Sequence, residues 1–468
     1  MQKSQLIQVF RTFSKKEIRD FKKWISSPTH NLREDVVKMY DYLTSSDHLT
    51  TENDLDKTLI FKHLYPKEKF DDARMRQAMY FFMECLENFL IYQKFLEDET
   101  RQKSFLASVY KKRGLNKAFK KTVNTFLEKK EKEKNQSDAF FLNDYEFQKD
   151  LFDYTNQHER SEQTNFDAMQ AALDNYYLVN KLRLACVALY HSRIFKVNYD
   201  IKLLNEIVAY LENAPSKEPI IATYYTVMMT LMFPDKEAFF DDLKEKLNEY
   251  TPFFTWNDGH EIYLFTINYG ASKLNQGKSE YRRDVFNLYK NGIELGFLLE
   301  NDVITTYTFK NVVTLGIHLK ELEWVEKFIH DYQIKLEETQ RQGTVDFNLA
   351  MLYHAKKDYR KAQRLLASFE VDDLLITLNA KFLLIKIYVE EGEFDLLDTH
   401  LTTMRVYLNR KEILGYHKEV YKNVIHFTKK INRVNPYTKV EKAKLITEIK
   451  ETKALADKEW FIRQVEAL

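Results

Sequence analysis

The chain has 468 residues, of which 30% are charged and 44% hydrophobic, and its net charge is +1. This composition excludes a chain that is disordered throughout, and it gives the protein as a whole no general attraction to nucleic acid or anionic membranes. The 10 glycines and 7 prolines are too few for a sandwich or barrel of many strands, and the length exceeds that of one compact core. We therefore expect several domains or an elongated array.

Residues 1–100 predict a helical N-terminal domain. Ser14 and Glu17 form a capping-box pattern in front of EIRDFKKWI, in which Ile18 and Phe21 fall on one helical face. The following segments repeat this spacing and carry acidic residues in their first turns. The starting residues, MQKSQLIQVFRTFSKKE, show neither a long apolar stretch nor a cleavage site, so we expect no secretion signal.

Opposite charges separate the next two segments. Residues 101–134 contain twelve Lys or Arg and three Glu, whereas residues 137–175 contain nine acidic and two basic residues. One interpretation is an exposed basic surface for nucleic acid. The other is a pair of helices in which the acidic segment neutralises the basic one. The candidate nucleic-acid contacts are Lys111, Lys112, Arg113, Lys117, Lys120 and Lys121.

The middle of the chain predicts buried helices and core cysteines. Lys181 and Arg183 interrupt an apolar helical pattern, and we expect each to pair with an acidic partner. Residues 220–233 carry no charge, but as a helix they would span only about 21 Å, which favours a buried helix over a membrane span. Cys85 and Cys186 lie in apolar surroundings without ligand-type spacing, which fits a reducing cytoplasm.

Two short motifs suggest catalysis and fail on inspection. The segment YGASKLNQGKS at 269–279 ends like a phosphate-binding loop, but Ser272 occupies the position that requires its first glycine. The pair His260-Glu261 could begin the HExxH motif of a zinc protease, but Leu264 stands in place of the second histidine. We expect no cofactor, no metal and no enzymatic activity.

Residues 260–405 contain features of a repeat. Gly270 precedes Gly277 by seven residues, and the stretch 347–369 reads FNLAMLYHAKKDYRKAQRLLASF. Three columns recur at intervals of 35 residues: Trp324, Tyr359 and Phe394; Glu323, Asp358 and Glu393; and, for a single interval, Tyr353 and Tyr388. These features resemble the tetratricopeptide repeat, whose period is about 34 residues. We expect the recurring aromatic rings to pack where one helix pair meets the next.

The resemblance implies an all-α, right-handed superhelix of helix pairs. With the flanking segments it gives four parts: a helical domain at 1–100, divergent hairpins at 101–259, repeats at 260–410 and a helical cap at 411–468. It also implies that a peptide would contact the inner face of the repeats, although the asparagine and lysine clamp of some family members has no match. The corresponding residues are Phe347, Met351, His354, Asn379, Phe382, Lys386 and Glu390.

The function expected from these features is that of a cytoplasmic, non-catalytic scaffold for a protein or peptide partner. An ordinary core role remains the alternative for Phe347 and Phe382. A second hypothesis is a regulator that contacts nucleic acid through residues 1–25 or 101–134, with the repeats as its sensor or partner module. We expect no membrane association.

Overall fold

The computed structural model describes residues 1–45, 48–49, 51–158, 164–367, 369, 374–410 and 415–468. Over these ranges it contains 23 α-helices, three short 3-10 helices and no strand, apart from one isolated antiparallel bridge between Glu300 and Val303. The predicted all-α class is confirmed. The right-handed superhelical path stays a prediction.

The chain divides into two compact units. The first contains Met1–Glu133 and Asp138–Tyr177, and the second contains Lys134–Ser137 and Leu178–Leu468. The four-part division expected from the sequence stays a prediction. The helices of the first unit are α1 Gln5–Arg11, α2 Lys15–Ile25, α3 Glu34–Thr44, α4 Lys57–Leu64, α5 Asp72–Glu97, α6 Glu99–Lys112, α7 Asn116–Lys130 and α8 Asp138–His158, with a 3-10 helix at Glu52–Leu55.

Helix α9 (Phe166–Phe195) begins in the first unit and ends in the second. The remaining helices belong to the second unit. They are α10 Leu204–Asn213, α11 Pro219–Met232, α12 Ala238–Tyr250, α13 Trp256–Asn275, α14 Tyr281–Glu294, α15 Thr306–His318, α16 Leu322–Tyr332, α17 Glu338–Ala355, α18 Tyr359–Ala367, α19 Leu374–Glu391, α20 Phe394–Arg410, α21 Gly415–Ile431, α22 Lys439–Glu451 and α23 Lys458–Ala467, with 3-10 helices at Thr251–Phe253 and Gln333–Lys335.

The first unit is built around aromatic side chains. Ser14 caps α2 through the predicted capping box, with its hydroxyl accepting from the Glu17 N–H and the Glu17 carboxylate accepting from the Ser14 N–H. The capped helix buries Phe21 against Phe10 and Phe82, whose rings meet edge to face. Edge-to-face packing adds to the stabilisation that burial of these rings provides.

Consecutive helices of the second unit pack as pairs: α11 with α12, α13 with α14, α15 with α16, α17 with α18, and α19 with α20. The first helices of successive pairs also contact one another, as α15 does with α17 and α17 with α19. Each pair thus covers an apolar flank of its neighbour. This arrangement is compatible with a helical-repeat protein.

The glycine motif at 269–279 belongs to a helix crossing and its turn. Residues 256–275 form α13, so the alternating segment 263–269 is helical. A Cβ atom on Gly270 would lie 2.4 Å from Val285 Cγ2, because α13 and α14 cross closely there. Gly277 has φ +90°, a left-handed conformation that glycine adopts without steric cost and that commonly ends helices. Both glycines therefore have structural roles in the pair.

The three residues of the aromatic column share a position but not an environment. Trp324, Tyr359 and Phe394 all lie at the start of the second helix of a pair. The Trp324 ring packs 5.0 Å from the Phe286 ring of the preceding pair, whereas the Phe394 side chain is 53% exposed. The expectation that every one of these rings seals two pairs together is therefore wrong for Phe394.

Helix α11 lies in the core of the second unit. Most of its side chains are buried, including Ile220, Val227 and Met228, which confirms the predicted buried helix. Proline at its first position suits a helix start. In the described part of the chain, no helix is both long and apolar enough to cross a membrane.

Candidate functional site

Four of the seven predicted inner-face residues meet near the end of the second unit's helical array. His354 lies in the last turn of α17, and Phe382, Lys386 and Glu390 follow one another at intervals of four along α19. This spacing places the three α19 side chains on one face of the helix. They face residues at the start of α23. We call the resulting set the Glu390 cluster; it consists of His354, Tyr359, Phe382, Lys386, Glu390, Asp457, Trp460 and Phe461.

The carboxylate of Glu390 is the centre of the cluster. Its Oε2 accepts a hydrogen bond from the Tyr359 hydroxyl at 2.9 Å and lies 3.1 Å from His354 Nε2. Its Oε1 accepts from the Trp460 indole Nε1–H at 2.7 Å. Only 19% of the Glu390 side chain is exposed. Hydrogen bonds from two other helices and a nearby histidine nitrogen from a third therefore surround one nearly buried carboxylate.

The surroundings of Glu390 hold it in the ionised form. Burial by itself raises the pKa of this carboxyl, but His354, Trp460 and Tyr359 stabilise the carboxylate and lower the pKa to about 2. Burial and the neighbouring Glu390 charge raise the pKa of Tyr359 to about 12. Around neutral pH, Glu390 is therefore a fixed acceptor and Tyr359 a fixed donor.

An ion pair and aromatic rings complete the cluster. Lys386 pairs with Asp457, and its Nζ lies 4.8 Å from the centre of the Phe382 ring. The Phe382 ring stacks on Phe461 with centroids 5.9 Å apart and meets the Trp460 ring edge to face. Asp457 also caps α23, since its carboxylate accepts from the Trp460 backbone N–H. Helix α23 thus contacts the α19 face through charged, hydrogen-bonding and apolar groups together.

The other three predicted inner-face residues lie outside this cluster. Phe347 is 3% exposed and packs in the core between α17 and α19, with Met351 partly buried against the same core. Asn379 accepts a hydrogen bond from the Tyr421 hydroxyl at 3.1 Å. Phe382 is itself 5% exposed, so both phenylalanines have the burial that a core role requires.

Sequence reasoning did not select Asp457, Trp460 or the binding role of Tyr359. Asp457 stands three residues before Trp460, which is a helix-capping pattern that could have indicated the start of α23. No local pattern indicates that the indole would meet Glu390, because 70 residues separate the two. Only the packing of the helices brings them together.

The predicted basic segment is partly neutralised. Lys111 Nζ lies 2.5 Å from Asp150 Oδ1 and 3.1 Å from Asp153 Oδ2. Burial lowers the pKa of Lys111, but the two carboxylates outweigh this effect and raise it above its ordinary value. Two further ion pairs, Arg101 with Glu146 and Lys130 with Asp144, also bridge the basic and acidic segments. Pairing with the acidic segment therefore accounts for some of the basic residues at 101–134.

The remaining basic candidates surround the turn between α6 and α7. All five are exposed: Lys112, Arg113, Lys117, Lys120 and Lys121. Lys120 lies 5.5 Å from the centre of the Tyr154 ring. The first turn of α7 contains Lys117 and no acidic residue, although helix dipoles favour negative charge at this end. The helix dipole therefore does not explain why Lys117 lies in the first turn of α7.

A second buried polar group lies on α9, α11 and α13. Arg183 donates two hydrogen bonds to Glu261, which confirms its predicted pairing with an acidic residue. Tyr224 donates to Asp258 at 2.9 Å, and burial raises the pKa of the Asp258 carboxyl. Every one of these groups has a partner in the protein. The arrangement therefore joins three helices and leaves no side chain directed at a ligand.

Two further kinds of candidate site involve metal-ligating side chains and cysteines. Among the residues that the structure describes, no group of three or more His, Cys, Asp or Glu side chains is placed to hold a metal ion. Cys85 and Cys186 are both buried, which confirms their predicted core positions. No protein-family model, curated protein or solved structure matches the chain.

Proposed function

We propose that the protein is a non-catalytic, cytoplasmic scaffold of the tetratricopeptide-like class, which binds a protein or peptide through α17 and α19. The paired helices and the contacts between successive first helices support this function, since such arrays present long surfaces to partners. The resemblance of residues 347–369 to the tetratricopeptide repeat supports the same face, because it implies that the inner-face residues of α17 and α19 contact the partner.

One observation carries the proposal: the α19 face already holds a helix by specific contacts. The indole of Trp460 is hydrogen-bonded to Glu390, and the aromatic ring of Phe382 stacks on Phe461. Tryptophan anchors and groups that pair with charged side chains are typical of protein-binding surfaces. Recognition of an amphipathic helix in a groove uses this combination of contacts.

The charge states in the cluster also support a binding role. General acid or base catalysis is most efficient when the pKa of the group lies near the working pH. The pKa of Glu390 is lowered to about 2 and that of Tyr359 is raised to about 12, so both move away from neutrality. Such groups donate or accept hydrogen bonds without exchanging protons.

A photo-crosslinking experiment in the native cell tests this function. A crosslinking amino acid replaces Met351, which is half-buried on α17, or Arg360, which is exposed on α18. We expect a partner to crosslink at position 351 and not at position 360. Equal crosslinking at both positions, or none at position 351, would contradict the proposal.

Nucleic-acid binding at the α6–α7 turn is a second candidate function. The favouring observation is that Lys112, Arg113 and Lys117 are exposed and, in the described structure, form no ion pair. Cations that converge on a surface in this way can neutralise phosphates, and binding then weakens steeply with salt.

The double variant Lys117→Glu/Lys121→Glu tests the second candidate. On single-stranded DNA at low salt, we expect this variant to bind more weakly than the unaltered protein and the salt slope to fall by about 1 for each phosphate contact removed. Lys439→Glu/Lys442→Glu, on α22, is the control with the same charge change. Absence of binding by the unaltered protein at low salt would exclude this function.

A further inference from the structure

We propose that α23 is an exchangeable occupant of the α17–α19 face, and that this face fits partners carrying a short helix that begins Asp-x-x-Trp-Phe. The inference rests on the proposed function and names the chemistry of its partner. Within the chain, residues 457–461 read DKEWF and supply this pattern. Helix α23 would thus occupy, within its own chain, the surface that a helix of a partner protein would occupy.

The contacts with α19 come from three residues at the start of α23. Asp457 pairs with Lys386, Trp460 donates its indole N–H to Glu390, and Phe461 stacks on Phe382. The three recognising side chains are spaced by four along α19, and their partners at 457, 460 and 461 are three and four residues apart, so one face of α19 contacts one face of the start of α23. The Lys386 cation selects a carboxylate, the Glu390 carboxylate selects an N–H donor, and the Phe382 ring selects another aromatic ring.

The charged groups of the recognising face keep neighbours of their own without α23. If Trp460 leaves, the Glu390 carboxylate retains the Tyr359 hydroxyl and the His354 ring nitrogen. If Asp457 leaves, Lys386 retains its position over the Phe382 ring. Neither charge becomes an uncompensated buried group, which is what usually makes the breaking of a buried pair costly. A surface organised in this way can release one helix and bind another.

One feature of α23 weakens its attachment. Asp457 has φ +47°, a left-handed conformation that is strained for a residue with a side chain. Burial by itself raises the pKa of the Asp457 carboxyl, but the Lys386 charge and hydrogen bond outweigh burial and hold this pKa below its ordinary value, so the ion pair does not weaken the attachment. Part of the favourable contact energy offsets the cost of the strained backbone. A partner helix whose acidic residue sits in a relaxed cap would avoid the strain and compete with α23.

A peptide-exchange experiment on the full chain tests the inference. The probe is a fluorescent synthetic peptide of residues 452–468, added to the unaltered chain and to the Trp460→Ala chain. We expect the Trp460→Ala chain to bind the peptide at least tenfold more tightly, because its own α23 competes poorly. The same peptide with alanine in place of Trp460 should not bind, and Glu390→Gln in the Trp460→Ala chain should reduce binding tenfold. Equal, negligible binding to both chains would overturn the inference.

Hydrogen exchange on the unaltered chain gives a second measurement that needs no folded variant. We expect the amides of α23 to exchange at least tenfold faster than the buried amides of α19, because α23 opens locally. Equal protection of α23 and α19 would overturn the inference, since α23 would then be a fixed part of the core.

The two proposals can fail separately. A partner that crosslinks at position 351 while α23 is as protected as α19 would overturn only the exchange of α23. Exchange of the labelled peptide without any crosslinked partner would contradict only the proposed function.

Discussion

Residues of the Glu390 cluster and of the α6–α7 turn were both predicted to bind partners, but their side chains have different surroundings in the structure. In the cluster, His354, Lys386 and Glu390 all contact other groups of the same chain. At the turn, Lys111 is tied to two carboxylates, whereas its neighbours Lys112 and Arg113 are exposed. The predicted peptide-binding residues His354, Lys386 and Glu390 thus have partners within the chain, whereas Lys112 and Arg113 are exposed to solvent.

The difference teaches that a helical pattern places a side chain on a face without showing what lies across from it. Lys111 and Lys112 are adjacent in sequence, yet Lys111 is mostly buried in an ion-pair network and Lys112 is exposed to solvent. Residues on adjacent positions of a helix point about 100° apart, so their energetic roles can diverge completely. The following variants test whether the two regions differ as described.

Replacing Glu390 should produce the largest change. Glu390→Ala leaves the buried donors of Tyr359 and Trp460 without their acceptor, and we expect the free energy of unfolding to fall by about 3 kcal/mol. Chemical denaturation followed by tryptophan fluorescence measures this change. Glu391→Ala is the matched control, because Glu391 is the adjacent glutamate and is exposed, and it accepts a hydrogen bond from the Gln363 side chain. A similar effect of both variants would remove the distinction between the cluster and ordinary surface.

Acid should weaken the cluster in a defined window. The folded pKa of Glu390 lies below its ordinary value of 4.5, so the stabilisation is fully present above about pH 4.5 and is lost as pH falls toward 2. Between about pH 6 and pH 3, we expect this carboxyl to contribute a loss of about 2 kcal/mol. The measurement is the difference in unfolding free energy between the unaltered chain and Glu390→Gln at each pH. A difference that does not change with pH would show that Glu390 is not held as a carboxylate.

The basic region should respond at Lys111 and not at the turn. Lys111→Met leaves Asp150, whose side chain is 19% exposed, without its main cation, and we expect a loss of about 2 kcal/mol. Lys117→Met removes an exposed cation and should change stability by less than about 0.5 kcal/mol. Urea denaturation of both variants provides the comparison. If Lys117→Met were the more damaging, the assignment of paired and free cations would be reversed.

Among the paired residues, Lys386 should give the smallest effect. Lys386→Met removes the pair with Asp457 and the contact with the Phe382 ring, but Asp457 still accepts the Trp460 backbone N–H. We expect a loss of about 1 kcal/mol, measured by the shift in denaturation midpoint. Lys381→Met, also on α19, is the control for loss of a cation from this helix. A loss at Lys386 as large as that for Glu390→Ala would place the ion pair, and not the carboxylate, at the centre of the cluster.

Much of the local structure was predictable from particular residues. The Ser14 capping box, the close approach at Gly270 and the turn at Gly277 are all present where their sequence patterns place them. Each depends on interactions within a few residues or between adjacent helices, which spacing alone can specify. Phe394 shows the limit: it occupies the same column as Trp324 but is exposed, because its surroundings depend on which helices follow.

Local sequence patterns specify the helical class, the capped start of α2 and the pairing of neighbouring helices, since periodicity and capping act over short distances. The contacts of these helices depend on packing between distant parts of the chain. Glu390 stays ionised around neutral pH only because Tyr359, His354 and a tryptophan 70 residues away converge on it. Its charge state is set by burial and by opposing partners, and no stretch of sequence contains either.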